Sequence, residues 1–68
     1  MAKGGSGDVL TGVITSLIAQ GYTGEAAAMI GVYVHGRAGD NAVAALSQTG
    51  ISATDIINYL PGAFGEFE

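Results

Sequence analysis

The sequence predicts a mainly α-helical segment of about four helices that forms part of a larger core. Apolar residues recur at three- and four-residue spacing after Asp8, and helix-start signals stand at Thr23 and Ser52. Charge is sparse for so apolar a chain: charged residues make up 12% and hydrophobic residues 49%, where an average soluble domain has roughly 25% charged residues. A chain of 68 residues buries only about 60% of the surface its unfolded form exposes. Part of its apolar surface therefore needs cover from the rest of a larger protein, a partner chain or an oligomer.

The first helix opens at Asp8, where Val9, Leu10, Val13, Ile14, Leu17 and Ile18 mark one apolar face. Gly21 follows Gln20 as its stop. Thr23 caps the next start, with Glu25 favourable in the first turn, and the second helix runs over about 24–38. Its centre, Met29-Ile30-Gly31-Val32-Tyr33-Val34, is apolar almost all round, as in a helix buried on several sides. Gly31 and Gly36 are read as sites of close helix packing. A third helix is expected over about 40–46, capped by Asp40 and stopped near Gly50. For the fourth, Ser52 and Asp55 have capping-box spacing, with Ile51 and Ile56 at the staple positions. Ile56, Ile57 and Leu60 give its buried face, Pro61-Gly62 ends it, and 62–68 is left as an irregular tail.

Composition excludes several functions. Lys3 and Arg37 are the only basic residues, too few for the phosphate contacts of a nucleic-acid binder. No apolar run approaches the ~20 residues of a membrane span, and the start lacks the basic and apolar regions of a signal peptide. Without cysteine there is no disulfide framework, which fits a cytoplasmic protein. His35 has no second His or Cys nearby to form a metal site and reads as a structural histidine. Tyr22, Tyr33 and Tyr59 read as partly buried amphipathic residues.

The chemistry concentrates in Gly4-Gly5-Ser6-Gly7-Asp8. A glycine-rich turn running into a helix presents backbone N–H groups that lack intrahelical partners, at the positive end of the helix dipole. Glycines permit both the turn and the close approach of a phosphate. A carboxylate beside such a site makes sense if Asp8 takes a proton from a hydroxyl while the N–H groups hold a phosphoryl group. Two structural readings compete: Asp is favoured at helix starts for its own sake, and residues 1–7 have the composition of a tag with a flexible linker.

The nine residues Gly-Gly-Ser-Gly-Asp-Val-Leu-Thr-Gly at 4–12 resemble the signature of the ADP/ATP-dependent NAD(P)HX dehydratases, members of the ribokinase-like superfamily. Ala19-Gln20-Gly21 is similar to the family's close of that helix. Gly31-Val32-Tyr33-Val34-His35-Gly36 with Ala38-Gly39-Asp40 is similar to its second block, and Ala53-Thr54-Asp55-Ile56 with Leu60-Pro61 to its last helix. The resemblance covers roughly 1–61, and Met1-Ala2-Lys3 resembles the family's lead-in, so Met1 is expected to be an internal residue of a longer protein.

The resemblance implies an α/β ribokinase-like parent fold, of which residues 1–68 are a C-terminal helical segment and 1–7 the anion-hole loop. It implies a lyase that dehydrates hydrated NADH and NADPH, driven by ADP or ATP with Mg2+, for which no ligand is identifiable here. Asp8 would be the general base at the substrate hydroxyl, the N–H groups of Gly5, Ser6 and Gly7 the anion hole, and Gly7 a nucleotide contact. The remainder of the parent domain or another chain, and a homo-oligomeric parent, complete the expected partners. The segment alone is expected to be inactive. A ribokinase-like small-molecule kinase and a non-catalytic helical interaction module are the alternatives.

Overall fold

The computed structural model describes residues 5–46 and 52–67, the side chains of Ser6 and Phe67 excepted. Three α-helices make up the described chain: α1 (Ser6–Ala19), α2 (Gly24–Leu46) and α3 (Ala53–Phe67). The mainly helical reading holds, with three helices in place of four.

The local stop and start signals between α1 and α2 operate as read. Gly21 has φ 108°, the left-handed conformation that glycine adopts without strain. The Gly21 N–H donates to the Ile18 carbonyl at 3.0 Å and the Tyr22 N–H to the Leu17 carbonyl at 3.2 Å, the paired bonds of a Schellman ending. The Thr23 hydroxyl then accepts the Ala26 N–H at 3.1 Å. α1 begins two residues before Asp8, so Ser6 and Gly7 belong to its first turn and not to a preceding loop.

The expected second and third helices are one. α2 continues through Gly36, Gly39 and Asp40 to Leu46, and Asp40 is an exposed residue within it, not a cap. Two glycines weaken a helix by roughly 1 kcal/mol each. Burial of Val34, Ala38, Gly39 and Ala42 along the same stretch offsets that cost. The expected stop near Gly50 and the staple residue Ile51 lie outside the described residues, as do Met1-Ala2-Lys3-Gly4 and Glu68.

α3 likewise runs past Pro61-Gly62 to Phe67, where the sequence suggested an irregular tail. Proline inside a helix removes one backbone hydrogen bond. Tertiary contacts hold the turns beyond it: Ala63 is fully buried, and Phe64 packs on both core clusters. On the surface, Arg37 of α2 pairs with Glu66 at 2.9 Å, and the Asn41 amide donates to the other Glu66 oxygen at 3.3 Å. Hydrogen bonding to Arg37, reinforced by its charge, holds the Glu66 carboxyl below its ordinary range, and the same bond raises the Arg37 guanidinium.

α2 contacts both other helices. Val13, Leu17 and Ala27 form the core between α1 and α2, while Val34, Ala38, Ala42, Ile56 and Ala63 form that between α2 and α3. Ile30, Leu60 and Phe64 bridge the two. Gly31 permits close approach, because a Cβ there would stand 2.7 Å from Cγ1 of Ile14. Gly36 does not: its Cβ would project into open space, on the outer face of α2 with Met29, Val32 and Tyr33.

This core is thin. Four of the eight buried hydrophobic residues are alanines, and the large ones are Val13, Leu17, Val34 and Ile56. Eight large hydrophobics stay exposed, among them Met29 at 71%, Val32 at 59% and Ile57 at 51%. Between α1 and α3 an open apolar groove of about 360 Å³ is lined by Val9, Gly12, Val13, Ser16, Ile57, Leu60 and Phe64. The described residues thus expose more large apolar side chains than they bury.

Candidate functional site

The candidate site is the start of α1. Gly5 is the N-cap residue, with φ 96° and ψ −17°. A side chain would strain the backbone there, so the turn itself requires glycine. The Gly5 carbonyl accepts the Val9 N–H at 3.0 Å, the first bond of the helix. The N–H groups of Ser6, Gly7 and Asp8 precede that bond, so the helix itself offers them no acceptor. Their direction along the axis adds the positive end of the α1 dipole.

Gly7 differs from Gly5. It lies in the first helical turn, is exposed, and a Cβ there would meet nothing within 4 Å. Neither backbone conformation nor packing within the described residues calls for glycine at this position. Close approach of a ligand to the backbone would.

Asp8 follows directly and is exposed in the first turn of α1. The helix start thus brings together Gly5, Ser6, Gly7 and Asp8, all adjacent in sequence. His35 is half-buried on α2. Among the described residues no group of three or more His, Cys, Asp or Glu could hold a metal ion, and no helix is long and apolar enough to cross a membrane.

One neighbour of the site could not be read from the sequence. A Cβ built on Gly5 would stand 3.2 Å from the Cβ of Ala53, so α1 and α3 begin side by side. The Ser52–Asp55 capping box gave the start of α3, but nothing in the two segments signals that their starts meet.

A left-handed glycine turn opening a helix, with a carboxylate in its first turn, is suited to holding an anion beside a proton acceptor. Proteins that handle phosphoryl groups use helix starts in this way. The chain belongs to the carbohydrate-kinase-type family described as NAD(P)H-hydrate dehydratase, whose family model matches residues 1–62. It is 48% identical over 61 residues to a bifunctional NAD(P)H-hydrate repair enzyme of Moorella thermoacetica, a match covering 90% of this chain and 12% of the relative. A repair enzyme of the same name from Thermofilum pendens is 48% identical over 63 residues, covering 93% of this chain and 12% of the relative. The ADP-dependent (S)-NAD(P)H-hydrate dehydratase of Haloterrigena turkmenica is 36% identical over 61 residues, covering 90% of this chain and 23% of the relative. The chain therefore spans about an eighth of the length of the first two. No solved structure matches it.

Proposed function

We propose that this segment supplies the anion hole and the general base of an ADP/ATP-dependent NAD(P)H-hydrate dehydratase built on a ribokinase-like domain. The observation that carries the reading is the left-handed Gly5 turn, which opens α1 with its first-turn N–H groups beside an exposed aspartate. The names of the relatives, which include an ADP-dependent dehydratase, point to the same chemistry.

In this reading the hydrated nicotinamide ring presents its hydroxyl to Asp8. The carboxylate accepts the hydroxyl proton as the oxygen attacks the terminal phosphorus of ADP or ATP. Backbone N–H groups of Gly5, Ser6 and Gly7 hold the transferring phosphoryl group, and the absent side chain of Gly7 leaves room for the nucleotide. The shortened nucleotide departs. The ring C–O bond of the new phosphate ester then breaks, and the departing inorganic phosphate takes a proton from the neighbouring ring carbon, which restores the dihydropyridine double bond. Positioning and electrostatic stabilisation lower the phosphoryl-transfer barrier. Mg2+ would reach the site on the nucleotide's phosphates, since it binds protein through only one or two carboxylates.

The remaining substrate and nucleotide contacts come from the rest of the parent domain, which also covers the apolar face described above. A cytoplasmic, homo-oligomeric parent completes the proposal. The test is a chimera in which this chain replaces the matching segment of the Moorella thermoacetica enzyme, incubated with ADP or ATP, Mg2+ and hydrated NADH. Equal amounts of free phosphate and NADH are expected. Accumulation of a phosphorylated cofactor with no NADH released would make the site that of a kinase.

A further inference from the structure

The direction of the anion-hole N–H groups depends on one backbone conformation, that of Gly5. Its carbonyl is already engaged by the Val9 N–H, so the left-handed turn at φ 96° decides where the N–H vectors of Ser6 and Gly7 point. That turn does not stand free. A Cβ added to Gly5 would stand 3.2 Å from the methyl of Ala53, closer than ordinary van der Waals contact, so only the bare Cα of a glycine fits against that methyl.

Ala53 is fixed from both sides. Before it, the Ser52 N–H and hydroxyl each donate to Oδ2 of Asp55 at 3.0 Å, and the Asp55 N–H donates to the Ser52 hydroxyl at 3.2 Å. After it, Ile56 is fully buried in the α2–α3 core, and its N–H donates to the Ser52 carbonyl at 3.2 Å. Further along, the apolar groove separates α1 from α3. At the helix starts themselves, the Ala53 methyl is the neighbour that stands beside the glycine turn.

We propose that Ala53 is a positioning residue for the anion hole: its methyl, anchored by the Ser52–Asp55 capping box, is the stop against which the Gly5 turn rests. A larger, stiff side chain at 53 cannot retreat into the anchored helix start, so it pushes the turn and redirects the N–H groups of Ser6 and Gly7. This inference rests on reading those groups as the anion hole.

The test compares Ala53→Val with Ala53→Ser in the same chimera. Valine is branched at Cβ and nearly locked at χ1 in a helix, whereas serine adds one atom that can turn away. Ala53→Val is expected to lower kcat by about 10–100-fold, the effect of an ångström-scale misplacement. KM for hydrated NADH and the thermal midpoint should change little. Ala53→Ser should stay close to the parent. Hydrogen–deuterium exchange of the Val9 amide, which donates to the Gly5 carbonyl, should accelerate in Ala53→Val alone. Unchanged kcat and exchange in Ala53→Val would overturn the proposal, as would a parallel fall of kcat and thermal midpoint in both variants. An unmodified chimera without dehydratase activity would count against the proposed function, and the exchange comparison would then decide the role of Ala53 by itself.

Discussion

Asp8→Asn in the chimera is expected to lower kcat for hydrated NADH by about 10²–10⁴-fold, the range that a positioned general base contributes. Asparagine keeps the shape of the side chain and its tolerance at a helix start, but it cannot accept the hydroxyl proton at neutral pH. The helix N–H groups and the glycine turn remain, so nucleotide affinity should be nearly unchanged. Some favourable interaction between the carboxylate and the helix dipole is lost, worth about 0.3–1 kcal/mol, too little to unfold a complete domain. Steady-state kinetics with equilibrium nucleotide binding separate the two effects. Retention of full turnover would remove Asp8 from the chemistry and leave it a helix-start residue.

Ile56→Ala is expected to destabilise the chain by about 2–5 kcal/mol, the cost of truncating a large buried aliphatic side chain. Ile56 is fully buried, and with Val34 it is one of the two largest side chains so enclosed. It also sits one turn into α3, where its N–H donates to the Ser52 carbonyl. Small domains have roughly 0.05–0.15 kcal/mol of stability per residue, so this loss is comparable with everything a 68-residue chain holds. Its neighbour Ile57, 51% exposed, is the control: Ile57→Ala should cost under about 0.5 kcal/mol in the isolated chain. Urea unfolding followed by circular dichroism measures both. Equal effects at 56 and 57 would contradict the burial of the Ile56 face of α3.

The elements legible from sequence are those set by local chemistry. Gly21 needs a left-handed conformation, Thr23 offers an oxygen to an orphan N–H, and Ser52 with Asp55 closes a reciprocal pair; each acts over three or four residues. Where distant contacts decide, local signals mislead. Gly36-Arg37-Ala38-Gly39-Asp40 looks like a break and cap, yet Ala38, Gly39 and Ala42 are buried, which carries α2 through. Pro61-Gly62 looks like an end, yet Ala63, Phe64 and the Arg37–Glu66 pair hold another turn and more. The same limit applies at the site. Gly5, Ser6, Gly7 and Asp8 were visible because they are contiguous. The proximity of Ala53 to Gly5 was not, since the two residues lie 48 positions apart and meet only when folded.

The excess of exposed over buried large hydrophobics connects the fold to the proposed function. Low charge in the sequence indicated that something covers this chain, and the bare faces of α2 and α3 with the groove beside α1 now locate the uncovered surface. A helix start can hold a phosphate, but phosphoryl transfer also needs the nucleotide and the hydroxyl to be held in line. Those contacts are what the rest of the domain would add.

The most direct measurement is a side-by-side assay of ADP-dependent repair of hydrated NADH by the 68-residue chain alone and by the chimera with the Moorella thermoacetica enzyme. NADH formation and phosphate release are expected from the chimera only, lost on Asp8→Asn. Turnover by the isolated chain, or an inactive chimera that is fully folded and binds nucleotide, would contradict the assignment of this helix start as one part of a divided active site.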